Sequence, residues 1–194
     1  MFPDGRADAV REMPGTIRLC LLLLAPLFLS AATLPESRGY RLVADDNTTP
    51  DRIAGGTVIH TEALNTLIKG EPVTVIDVAV APKRPPGMTS ATPWMPLPHS
   101  VIPGSTWLPE LGEDDAASPL DNWLRNRLTA LTGGDIDHPL VLYCHPQCRR
   151  SWNAATRAIA YGYRRVYWYP DGIEGWQSAG LPTTVAIAQE FPQS

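Results

Sequence analysis

Lysine is nearly missing from this chain: only Lys69 and Lys83 occur, and 16 basic residues against 20 acidic ones leave a net charge of −4. So little positive charge excludes the broad basic face that nucleic acid requires. Cysteine is scarce as well. Three in 194 residues are too few for a disulfide-stapled scaffold, so each calls for its own explanation. Long apolar runs are lacking too, because Leu19 to Ala32 falls short of the ~20 residues of a membrane span and Pro26 interrupts it. With Arg18 ahead of it and the small residues Ser30 and Ala32 at its end, that run has the pattern of a secretory signal peptide over 1–32. An uncleaved anchor is the alternative, and Met13 offers a second, tighter start for the same signal. What the chain does have is 44% hydrophobic and 19% charged residues, enough for one domain with a real core.

Cleavage after Ala32 removes Cys20 and as many acids as arginines, so residues 33–194 keep the net charge of −4 and two cysteines, Cys144 and Cys148. Residues 33–52 are polar and turn-rich and are expected as a loosely ordered lead-in, with the domain over 53–185 and a tail over 186–194. Thr57 to Ile59 reads as a short strand. Thr61 to Lys69 has apolar residues at 63, 64, 67 and 68, which predicts a helix with Thr61 as N-cap and Gly70 as its end. Val73 to Val78 is β-branched and nearly continuously apolar, the pattern of a strand buried on both faces of a parallel sheet, with Asp77 at its C-terminal end. Eight prolines between Pro82 and Pro109 exclude regular structure from most of that stretch, and Trp94, Met95, Leu97 and Trp107 predict a packed loop. A helix over 120–131, a strand over 139–144, a helix over 151–161 and a strand over 165–169 complete a parallel α/β sandwich.

Cys144 falls where the buried strand Pro139–Cys144 ends and a loop turns into the next helix. The unpaired amides and dipole of a helix N-terminus favour a thiolate and attract an anion, and Arg149 and Arg150 add charge in the same turn. This is what a nucleophilic cysteine requires. Read without chemistry, Cys144 is an inert residue that finishes its strand.

The segments Val75-Ile-Asp-Val78, Ile102-Pro-Gly-Ser105, Leu142-Tyr-Cys144, Ala154-Ala155, Gly162-Tyr163 before Val166-Tyr167, Asp171-Gly-Ile-Glu-Gly-Trp176 and Gly180-Leu-Pro182 share an order and spacing that resembles the rhodanese-like superfamily over residues 53–182. The resemblance implies a three-layer sandwich around a mainly parallel sheet and transfer of sulfur through a persulfide on Cys144, with the loop amides cradling the anion. Ile102-Pro-Gly-Ser-Thr-Trp107, Ser151-Trp-Asn-Ala-Ala155, Tyr161-Gly-Tyr163 and Trp168-Tyr-Pro-Asp-Gly172 are similar, more narrowly, to the secreted PQQ-dependent catabolism-associated CXXCW motif proteins. That likeness implies a periplasmic location and a quinoprotein dehydrogenase system as partner. Two departures stand out: three residues separate Cys144 from Cys148 and Arg149 follows the second cysteine in place of tryptophan, and Val78 and Ala79 follow Asp77 where the superfamily commonly has Asp-x-Arg.

Sulfur transfer assigns Cys144, Cys148, Arg149 and Arg150 to the reaction and His145, Gln147, Ser151 and Asp77 to substrate binding, with a small sulfur-containing anion or an acceptor thiol as partner. No cofactor or metal is called for. A persulfide on Cys144 with a thiol four residues away can also collapse to a disulfide and sulfide, so a thiol–disulfide or sulfur-sensing accessory is a second class. Cys144 to Ser151 also satisfies the Cys-x5-Arg-Ser spacing of cysteine phosphatases, although the loop lacks glycine and Pro146 removes one amide. A metal site from Cys144, His145 and Cys148 lacks a visible fourth ligand, and a non-catalytic binding module is the remaining alternative.

Overall fold

The computed structural model describes residues 50–89, 91–114 and 118–192. The expected signal peptide, all but the end of the lead-in and the last two residues lie outside the described residues. The elements follow in the order β1 (Thr57–Val58), α1 (Thr61–Gly70), β2 (Thr74–Asp77), β3 (His99–Val101), β4 (Thr106–Trp107), α2 (Ser118–Thr132), β5 (Leu140–Tyr143), α3 (Arg149–Ala160), β6 (Val166–Tyr169), α4 (Gly172–Ser178) and β7 (Thr184–Ala186), with a 3-10 turn at Pro109–Gly112.

Five strands form one parallel sheet in the order β1-β6-β5-β2-β4, with β5 at its centre. The pleat divides their side chains between two cores. Ile76, Leu140, Leu142, Val166 and Trp168 pack with Leu124 and Leu128 of α2 and Trp152, Ala154, Ala155 and Ala158 of α3. Val75, Val141, Tyr143 and Tyr169 pack on the opposite face with Leu64 of α1 and Ile173 and Trp176 of α4. This two-sided burial explains why β2 and β5 read as continuous apolar runs rather than alternating ones.

The differences from expectation fall at element ends. His60, not Thr61, is the N-cap of α1, and Gly70 is its last residue. Thr61 instead turns its hydroxyl to Tyr169 Oη (2.7 Å) and Asp171 Oδ2 (3.1 Å). Within the proline-rich stretch, Trp107 is buried and donates its indole N–H to Ala79 O (2.7 Å), but Met95 and Leu97 are exposed, so only the end nearest the sheet is packed. Prolines on either side of Met95 and Leu97 fix φ and keep that short segment from folding back over its own side chains. The stretch also contributes β3, which pairs antiparallel with β7 through His99 opposite Ala186 and Val101 opposite Thr184. Residues expected as a tail are anchored: Gln189 N–H donates to Trp107 O (2.8 Å), Arg127 bonds the Gln189 side chain, and Phe191 meets Trp123 edge-on at 5.7 Å. At the other end, Trp152 Nε1 donates to Arg52 O (3.1 Å), which fixes the last residue of the lead-in.

Candidate active site

Sequence dictates the site's position. β5 is buried throughout and emerges at Tyr143, and α3 begins six residues later, so residues 144–148 must turn within one short loop at the C-terminal edge of the sheet. That edge is where α/β folds place chemistry. Pro146 cannot extend the strand, and Gln147 takes a left-handed φ of 55°, which reverses the chain into the helix.

A second element clamps this loop. Ile173 N–H donates to Cys144 O (2.9 Å), and Gln147 N–H donates to Pro170 O (3.3 Å). Gly172, with φ of 65°, lies so close that a Cβ there would be 2.5 Å from His145 C, 2.6 Å from Pro146 N and 2.8 Å from Cys144 O. The Asp171-Gly-Ile segment therefore closes the back of the cysteine loop, a role the sequence signalled only as one piece of a family pattern.

The cysteines are both free and lie side by side. Cys144 is buried, 2% exposed, whereas Cys148 is partly exposed at the N-cap of α3. Their acidities diverge. The Cys144 thiol donates a hydrogen bond to Cys148, which, with burial and the nearby charges of Cys148 and Asp77, pushes Cys144 far up. Accepting that hydrogen bond, together with the backbone amides of Arg150, Ser151 and His145, brings Cys148 down to about 6 despite its partial burial. The backbone amides of Arg150 and Ser151 at the start of α3 face Cys148, while that of His145 lowers both thiols.

The other expected site residues are placed as follows. Arg149 is paired with both carboxylate oxygens of Asp114, which raises its pKa. Arg150 is buried, with its guanidinium bonded to Val78 O (3.1 Å), Pro109 O (2.5 Å) and Glu113 Oε1 (3.1 Å). It braces α3 against the loop after β2 and turns its guanidinium to Val78, Pro109 and Glu113. Ser151, 1% exposed, donates to Cys148 O (2.9 Å) and accepts from Trp168 Nε1 (3.0 Å), so it holds the helix start rather than facing a ligand. His145 is exposed and meets Glu174 Oε1 at 2.7 Å. Asp77, 1% exposed, accepts from Ala79 N–H (2.7 Å) and contacts His99 Nε2 (3.0 Å), and that imidazole stacks on Trp107 with centroids 3.8 Å apart. The loop amides are mostly committed as well: Pro146 has none, Gln147 N–H serves Pro170 O, and Cys148 N–H serves His145 O (3.2 Å). Of those that remain, the amides of Arg150 and Ser151 face Cys148, and that of His145 lowers both thiols.

Sequence reasoning missed the acidic partners Asp114, Glu113 and Glu174, and His99 beside Asp77. All four come from distant segments, and only Glu174 lies in a stretch with a recognisable pattern. Among the described residues, no group of three or more His, Cys, Asp or Glu side chains converges to hold a metal, and no helix is long and apolar enough to cross a membrane.

The family model for the rhodanese-like domain matches residues 60–179. Thiosulfate sulfurtransferase GlpE of Actinobacillus succinogenes is 40% identical over 52 residues, 27% of this chain, and the match spans 46% of that protein's length. Among solved structures, thiosulfate sulfurtransferase from Pseudomonas aeruginosa aligns with 71% of this chain and 21% of its own at 21% identity and a TM-score of 0.44. The polysulfide-sulfur transferase homodimer from Wolinella succinogenes aligns with 68% of this chain and 80% of its own at 20% identity and a TM-score of 0.42.

Proposed function

The chain belongs to the rhodanese-like domain family, and from that premise we propose that it is a sulfurtransferase-type enzyme working through a cysteine persulfide. One observation carries this reading: two contacting thiols sit in a clamped loop at the C-terminal edge of a parallel sheet, where the backbone amides at the start of α3 favour negative charge. A thiolate in a field of helix amides suits attack on a sulfur that bears an anionic leaving group. With thiosulfate, the thiolate attacks the outer sulfur, the sulfur–sulfur bond breaks, and sulfite departs with its electron pair. The persulfide left on the enzyme then passes its outer sulfur to an acceptor thiol or to cyanide.

The reading includes export, on the strength of the apolar run 19–32, and service to a periplasmic quinoprotein dehydrogenase system, on the strength of Ser151-Trp-Asn-Ala-Ala155 and Trp168-Tyr-Pro-Asp-Gly172. Contact between the thiols favours a second reading, a thiol–disulfide or sulfur-sensing accessory. Intact mass of the reduced full chain after thiosulfate, together with sulfite assay, tests the first. A gain of one sulfur with release of one sulfite is expected, and thiocyanate should form on adding cyanide. No sulfite and no added sulfur, with a disulfide forming under mild oxidant alone, would leave the second reading in place of the first.

A further inference from the structure

The proline-rich stretch and the strand that seals it leave a cavity of about 440 Å³ between them, and no residue of the cysteine loop 144–148 lines it. Trp94 and Leu97 form one wall, Val185 and Ile187 the other. Both walls are fixed in advance. Pro96 and Pro98 hold φ on either side of Leu97, while the pairing of His99 with Ala186 and the bond from Gln189 N–H to Trp107 O (2.8 Å) hold the β7 side. Leu97 and Ile187 are each 89% exposed and Val185 63%, so three of the six large apolar side chains exposed among the described residues meet at this one place. Beneath them, buried Trp107 and half-buried His99 stack with centroids 3.8 Å apart and give the cavity a flat aromatic floor.

That floor carries one available polar function. His99 Nε2–H donates to Asp77 Oδ2 (3.0 Å), and Asp77 is held in turn by Ala79 N–H (2.7 Å). The bond to Asp77 selects the tautomer whose Nδ1 is an acceptor, and Nδ1 has no hydrogen-bond partner among the described residues. The Trp107 indole N–H is already committed to Ala79 O (2.7 Å). Exposed Glu190 is the one carboxylate on the lining, and among the described residues no Lys or Arg lines it, so an anion meets only repulsion there. We propose that the cavity binds a small uncharged aromatic compound bearing a hydroxyl, of the phenol class, whose O–H donates to His99 Nδ1. Its ring lies against the stacked floor and displaces water from Leu97, Val185 and Ile187. A flat ring suits that floor, a donor suits Nδ1, and the lack of charge suits apolar walls beside a carboxylate. The site needs no cysteine and stands independently of the sulfur chemistry proposed above.

The test titrates the full chain with phenol, anisole and benzoate and follows the indole N–H signals of Trp94 and Trp107 by NMR. Phenol is expected to saturate with a Kd of ~1 mM or below. Anisole keeps the ring and the oxygen but has no O–H, and should bind about 10-fold more weakly. Benzoate should not saturate. His99→Phe keeps a ring on Trp107 and removes the acceptor, so phenol should fall to the level of anisole. Because that change also leaves Asp77 without its donor, Leu97→Asp supplies a variant at an 89% exposed position, outside the core. It should weaken phenol and anisole alike, by about threefold or more. Equal affinity for phenol and anisole on the wild-type chain, saturation by benzoate over the same range, phenol affinity unmoved by Leu97→Asp, or no saturation by phenol would each overturn the proposal.

Discussion

Replacing Gly172 with alanine tests whether the start of α4 holds the cysteine loop in place. Two costs arise. The residue keeps a φ of 65°, where an L side chain costs ~1–2 kcal/mol. The new Cβ would also stand 2.5 Å from His145 C and 2.6 Å from Pro146 N, about 1 Å inside the ~3.5 Å of ordinary carbon contact. Both obstacles are backbone atoms, so relief requires α4 and the loop to separate. That motion stretches the hydrogen bonds from Ile173 N–H to Cys144 O (2.9 Å) and from Gln147 N–H to Pro170 O (3.3 Å), each contributing ~0.5–1.5 kcal/mol. The expected total is a loss of about 2–4 kcal/mol. Gly180→Ala supplies the control, because φ there is 71° but nothing lies within 4 Å of a Cβ, so only the backbone cost of ~1–2 kcal/mol applies. Urea unfolding of both variants under reducing conditions measures the difference. Iodoacetamide labelling of Cys144 should also speed up in Gly172→Ala alone. Equal destabilisation of the two variants, with Cys144 still protected, would refute the clamp.

Further outcomes follow from the same geometry. Alkylation of Cys148 in the reduced chain should rise with a midpoint near pH 6 rather than the ~8.5 of an ordinary thiol, as measured by rate against pH. The same depression makes the folded chain release a proton that the unfolded chain keeps between pH 6 and 9, so this contribution to stability grows with pH across that window and vanishes below it; Cys148→Ser should flatten the slope in urea melts. Arg150→Met should destabilise by about 2–4 kcal/mol in urea unfolding, because Val78 O and Pro109 O lose their buried donor. Asp114→Asn, at the partly exposed Arg149 pair, should cost about 1 kcal/mol or less in the same assay. N-terminal sequencing of exported protein should begin near Thr33, and a full-length chain retained in the membrane refutes the cleavage site.

How far sequence carried the structure depended on whether the signal was local. Apolar runs such as Val73 to Val78 and Pro139 to Cys144 place β2 and β5, because burial on both faces leaves no polar alternation to confuse them. Pro119 and Gly133 bracket α2 by backbone geometry alone. In contrast, β3 and β7 are three residues each and gain their hydrogen bonds from a partner more than eighty residues away, which no window reading detects. The site divides in the same way. The cysteine loop was legible from a strand end, two cysteines and a helix start. The contact between the two thiols was not, since it depends on how tightly the loop turns and on which amides at the start of α3 remain uncommitted. Arg149 and Arg150 looked alike in sequence, yet one reaches Asp114 and the other threads between Val78 and Pro109.

The pairing of β3 with β7 sets a schedule for the chain as it is made. Synthesis runs from the N-terminus, and the proline-rich stretch is complete by Pro109, long before Thr184–Ala186 exists to seal it. All five strands of the parallel sheet are in hand once Tyr169 has been added. The last strand therefore acts as a latch on a finished body, and a nascent chain stopped before residue 184 should hold its cysteine loop while a protease cuts at His99–Val101, which pairs with β7 in the complete chain.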